Sequence, residues 1–180
     1  MSPRQICCSA IATRLATPLM IGQSERVGLA VPRLLTDMIA TGRWPADAAT
    51  ASRQNVNSWV STERVRALVP TGEPWELFLY SPPFATVAEL VREGDVFWDR
   101  PSSDPDGLDR EKALVIGDFG LGSDAPIVLD YRDNEVVPVV RYLQWTDQAD
   151  EEVSSPSFGS SNAWVLLAPS FELFVQSLAL

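Results

Sequence analysis

The chain is predicted to fold as a single α+β domain, a twisted and mainly antiparallel sheet packed by a few helices. Three observations carry that expectation. The strand-like stretches come in runs of two or three, interrupted by single helical ones. At 180 residues, 46% hydrophobic and with six Trp, the chain is long enough and apolar enough to bury a genuine core. Fourteen Pro and ten Gly punctuate it, so each element should be short.

Residues 1–26 read as a weakly ordered N-terminal extension and 27–180 as the domain itself. Arg4 followed by apolar stretches at 6–12 and 15–21 loosely resembles a signal peptide. Arg14 interrupts the run, however, and no small-x-small cleavage pattern follows. No stretch approaches the ~20 uninterrupted apolar residues of a spanning helix, so no membrane partner is expected.

The first helix is predicted over 32–41. Pro32 suits its first position, Leu34, Leu35, Met38 and Ile39 form one stripe, and Gly42 is placed to end it. A polar stretch at 45–57 follows, to which no element is assigned, and then a short helix near 62–68 capped by Ser61 or Thr62. Residues 75–80 read as a largely buried strand, with Trp75, Leu77 and Leu79 on one face and Phe78 and Tyr80 opposite. Thr86 and Glu89 match a capping box, so a helix should run to about Arg92 and stop at Gly94. Phe97 and Trp98 suggest another short strand, and 101–110 a loop dense in Ser, Asp and Pro.

Further strands are predicted at 113–116, 127–131, 136–143 and 163–167. A glycine-rich turn at 117–123, a hairpin turn at 132–135 and a loop at 146–162 connect them. Pro138 cannot donate to a ladder, which would put the strand 136–143 at a sheet edge. Ser170 should cap a closing helix whose Phe171, Phe174, Val175 and Leu178 face the core. The helices are expected to bury one face of the sheet.

The composition closes several routes to chemistry. There is no His, which removes Ser-His-Asp triads, Cys-His dyads and His-containing zinc sites. The two Cys, Cys7 and Cys8, are adjacent and build neither a disulfide framework nor a four-thiolate metal site. That fits a reducing compartment or indifference to redox, and a cytoplasmic location is expected. No catalytic, cofactor-binding or metal-binding residue is assigned, and no cofactor is expected.

The net charge of −10 is spread unevenly. Residues 1–72 hold eight Arg against four acids, whereas 73–152 hold nineteen acids against six bases. A nucleic-acid binder shows a basic face, so direct nucleic-acid binding is disfavoured. An acidic region suits a basic protein partner, because complementary fields speed encounter and set specificity. The plainer alternative is a solvated surface that aids solubility.

Three motifs invite a sharper reading. Asp118-Phe119-Gly120 looks like the magnesium-binding segment of protein kinases, but that chemistry needs a phosphate-pairing Lys on an early strand and a His-Arg-Asp loop. Lys112, the only Lys, sits just before the motif instead. Gly117, Gly120 and Gly122 resemble a phosphate cradle only loosely, since no Lys-Ser/Thr follows and the next element reads as a strand. Glycines that permit φ > 0 in a turn explain both patterns better. Asp118, Asp124, Asp130, Asp133 and Glu135 lack the ligand alternation of a calcium loop. A carboxylate pair for acid–base work is not excluded, but a solvated loop or a protein-contact patch suits them better. Trp44, Trp59, Trp98 and Trp145 lie near proposed element ends, where an aromatic anchors either an interface or the core.

Residues 114–180 resemble the SUKH superfamily, and within it the bacterial homologues of the fungal Smi/Knr-type cell-wall-assembly regulators. The resembling blocks are LVIGDFGLG at 114–122, APIVLDYR at 125–132 and, most specifically, WVLLAPSFELFVQSL at 164–178. Upstream, VPRLL at 31–35 and GRW at 42–44 resemble the opening helix of many bacterial members. The resemblance implies a twisted sheet with flanking helices and function by protein binding. Many bacterial members are immunity proteins against toxins delivered by neighbouring cells, and fungal members act as regulatory scaffolds. Asp118, Gly120 and Asp130 match family positions that serve the structure, and no catalytic residues carry over.

These readings combine into one expectation, a non-catalytic domain that neutralises a basic toxin domain by binding it. Asp118, Asp124, Asp133 and Glu135 are the candidate contact residues. The alternative is a regulatory or scaffolding module without a toxin partner, and a more remote one is a carboxylate-based enzyme.

Overall fold

Pro32 opens the first helix because its fixed φ and missing N–H suit a helix start. In the computed structural model it occupies the cap position of α1 (Arg33–Ala40), and Gly42 at φ 72° carries the chain out of it. The structure describes residues 28–69, 76–94, 108–120, 125–144 and 163–180. The extension 1–26, the strand suggested at Phe97 and Trp98, the loop 146–162 and most of 101–110 lie outside these residues, as do Trp75, Trp145 and Asp124.

The polar stretch at 45–57 is not irregular. It holds a second helix, α2 (Ala48–Val56), whose first turn is fixed by the Asp47 carboxylate accepting from the Thr50 N–H at 2.7 Å. No apolar stripe announces this helix because its buried residue is a glutamine, Gln54. The third helix, α3 (Thr62–Leu68), follows Ser61 as expected. The strand predicted at 75–80 contracts to β1 (Phe78–Leu79). Its inward face is sealed by Leu77 and Leu79, while Tyr80 is 40% exposed, so it is buried on one face and not on both. The capping box forms as read. Thr86 Oγ1 accepts from the Glu89 N–H, the Glu89 carboxylate accepts from the Thr86 N–H, and α4 (Val87–Arg92) runs on to Gly94 at φ 77°.

A 3₁₀ turn at Arg110–Lys112 leads into the main sheet: β2 (Ala113–Asp118), β3 (Pro126–Asp130), β4 (Val139–Gln144) and β5 (Ala163–Ala168). All pairings are antiparallel, and the five strands lie in chain order from β1 to β5. Pro138 precedes β4 instead of sitting within it, so no ladder bond is lost, and β4 runs inside the sheet between β3 and β5. The edge position expected for it belongs to β5.

Alternation along the strands divides the core in two. Leu114, Ile116, Ile127, Leu129, Val140 and Tyr142 face a large cluster with α1, α3 and the closing helix α5 (Phe171–Leu178). Ala113, Val115, Val128, Leu143 and Trp164 face a smaller one with Val87 and the half-buried Leu90 and Val91 of α4. Helices therefore cover both faces, not one. Ser170 caps α5 by accepting from the Leu173 N–H, and Phe171, Phe174, Val175 and Leu178 are all buried. The architecture is a single α+β domain built on an open antiparallel sheet.

Candidate protein-binding surface

β3 ends at Asp130, whose side chain is 1% exposed. Arg132 Nε donates to both carboxylate oxygens at 3.0 and 2.9 Å, and its Nη2 to Oδ2 at 2.6 Å. The Arg132 backbone N–H adds a bond to Oδ1, and Arg141 Nε reaches Oδ2 from β4 at 2.8 Å. Arg141 Nη1 also donates to the Trp164 carbonyl on β5 at 3.4 Å. One carboxylate thus ties β3 to the turn after it, to β4 and, through Arg141, to β5. Burial pushes the Asp130 carboxyl up, but the hydrogen bonds and charge of Arg132, with the bond from Arg141, outweigh it and hold the group below its ordinary value. Hydrogen-bonded to Asp130, the Arg132 guanidinium is held above its own.

Beyond this clamp lies the β3–β4 turn. Asn134 Oδ1 accepts from the Val136 and Val137 N–H groups at 2.8 and 3.0 Å, a local bond pattern that asparagine favours in turns. The turn leaves Val136 73% and Val137 50% exposed, beside the exposed carboxylates of Asp133 and Glu135. Glu135 pairs with Lys112 Nζ at 3.2 Å, but its side chain is 75% exposed, so this pair contributes little to stability. The tip sets aliphatic surface and two exposed carboxylates on a braced backbone, with Lys112, Arg132 and Arg141 close by.

The sequence-predicted contact residues do not all meet here. Asp133 and Glu135 share the tip, whereas Asp118 lies at the other end of the β2–β3 pair and is 9% exposed. Its Oδ1 accepts from the Ala125 N–H at 3.1 Å while the Phe119 N–H donates to the Ala125 carbonyl, so Asp118 closes the β2–β3 connection. Asp124 lies outside the described residues. Val136 and Val137 are hidden from sequence reasoning because, being β-branched, they read as the start of the strand predicted over 136–143, which begins only at Val139.

The glycines of the 117–123 turn need a different explanation from the one expected. Neither Gly117 nor Gly120 has a positive φ. A Cβ on Gly117 would stand 2.6 Å from the Phe78 carbonyl oxygen, and one on Gly120 would overlap the Phe78 ring. Both are glycine because β1 packs against them. Phe119, the aromatic of the kinase-like segment, is fully buried edge-on to Tyr142 at 5.6 Å. Trp44 is likewise core, donating its Nε1–H to the Tyr80 carbonyl at 2.8 Å, while Trp59 is 39% exposed.

Comparison with protein-family models, with curated proteins and with solved structures returned no match. No helix among the described residues is long and apolar enough to cross a membrane.

Proposed function

We propose that this chain is a non-catalytic protein-binding domain of SUKH type. More particularly, we read it as an immunity protein that neutralises a toxin domain by direct contact. The observation that carries the reading is the β3–β4 tip, where Val136 and Val137 stand in solvent directly after the exposed Asp133 and Glu135, on a backbone braced by Asn134 and Asp130. Exposed aliphatics beside charged groups suit a protein contact, and a preordered loop spares the ordering cost that weakens flexible binders. The sequence resemblance supplies the toxin, and the −10 charge its sign: a basic cleft, such as one that holds phosphate, is the complementary surface.

The test asks first whether a gene adjacent to the chain's own encodes a toxin domain, and then uses that domain in a catalytically inactive form. One-to-one binding by calorimetry, with growth rescue when the active toxin is co-expressed, is the expected result. A folded chain that neither binds nor rescues would overturn the reading and favour a regulatory module. Loss of binding in a Val136→Ser/Val137→Ser variant with unchanged melting temperature would locate the contact at the tip.

A further inference from the structure

The two edges of the sheet are finished differently. β5 ends the sheet as a strand, but the outer side of β1 meets a side chain. Gln54 of α2, 0% exposed, donates from Nε2 to the Leu77 carbonyl at 2.9 Å and accepts at Oε1 from the Leu79 N–H at 3.0 Å. A glutamine amide carries one donor side and one acceptor side, as a peptide group does, so this single residue stands in for a neighbouring strand. It is also the one buried residue of the helix, in which Thr50 and Ala51 are half-buried. The chain is anchored before α2 by buried Trp44 and Pro45 and after it by buried Val60, and between those anchors Gln54 alone is buried. Ala48, Ala49, Ser52, Arg53, Asn55 and Val56 are all exposed, Val56 by 82%.

We propose that α2 is a releasable cover over the β1 edge, latched by Gln54 and hinged at Trp44–Pro45 and at Val60. Segments with few buried apolar contacts open at lower free energy than the strands they rest on, and α2 has almost none. Release frees the Leu77 carbonyl and the Leu79 N–H together and uncovers the β1 edge. The proposal concerns β1, which pairs at the Gly117–Asp118 end of β2, away from the Ala113–Asp130 end that leads to the β3–β4 tip, and it does not depend on the function assigned there.

Native-state hydrogen exchange on the full chain tests it directly, because the Leu79 amide is the one that Gln54 holds. In the unsubstituted protein, the amides of 52–56 and of Leu79 should exchange together and well ahead of Val128 and Leu129 in β3. Gln54→Ala should speed the α2 and Leu79 amides about ten- to hundredfold, the consequence of leaving buried groups unpaired, and leave β3 unchanged. Ala49→Gly, an exposed change that keeps the latch, should speed the same set about fivefold through lost helix propensity. If Gln54→Ala fails to fold, Ala49→Gly decides alone. Leu79 and α2 amides that exchange only at the rate of β3, in the unsubstituted protein and in Ala49→Gly alike, would overturn the proposal.

Discussion

Asp130 shows how much one residue depends on partners that its neighbours in sequence do not reveal. Spacing grouped it with Asp118, Asp124, Asp133 and Glu135 as one acidic loop, yet its carboxylate is buried under two arginines, one of them eleven residues away on β4. Removing one partner of a buried ion pair strands the other, so Asp130→Ala should cost about 3–5 kcal/mol in urea unfolding at neutral pH. The pH dependence has a definite sign. The folded-state value is held below the ordinary 3.8, so the contribution is complete above 3.8 and is lost as pH falls through the lower folded value. Stability measured from pH 5 downward should fall more steeply in the natural chain than in Asp130→Asn. Equal slopes would show that the carboxylate is not the group responsible. Gly117 makes a similar point through space instead of charge. Its Cβ-less backbone lies against the Phe78 carbonyl, so Gly117→Ala should loosen β1 and lower the melting temperature, whereas Gly94→Ala would strain only an open helix end.

Among the elements, the closing helix was the most legible. Ser170, then Phe171, Phe174, Val175 and Leu178 at helical spacing, is a cap followed by a stripe, and both signals are local. Phe174 is fully buried between the sheet and the helices, so Phe174→Ala should cost about 3–5 kcal/mol, read as a lower urea midpoint with an unchanged slope. An unchanged midpoint would contradict this packing. The capping box of α4 was legible for the same reason. α2 was not, because sequence patterns register apolar stripes and this helix docks through a glutamine amide whose partners, Leu77 and Leu79, lie more than twenty residues away. Pro138 misleads in the opposite direction: proline does lack a ladder donor, but this one lies one position before its strand. Local chemistry was readable where the element is held by its own residues, and unreadable where it is held across the fold.

For the molecule as a whole, alternation in β2, β3 and β4 sends side chains to two cores, so α4 must cover the face that the other helices leave. Sequence gave the period of each strand but not the side on which each helix lands. The charge follows the same logic. Nineteen acids against six bases at 73–152 are plain in the sequence, but only the fold separates Asp118, which holds a connection, from Asp133 and Glu135, which face solvent.

On the function proposed above, the exposed carboxylates of Asp133 and Glu135 steer a basic partner that Val136 and Val137 help to seat. Association kinetics of the inactive toxin domain over a range of salt concentrations, with Asp133→Asn/Glu135→Gln alongside the natural chain, test this. Exposed charges are screened beyond a Debye length of about 8 Å at physiological ionic strength, so the on-rate should fall as salt rises. The double variant should start lower and depend less on salt; an off-rate that changes little would put both residues at the rim of the contact, and one that rises most would put them inside it. An on-rate indifferent to salt and to the double variant alike would contradict the claim.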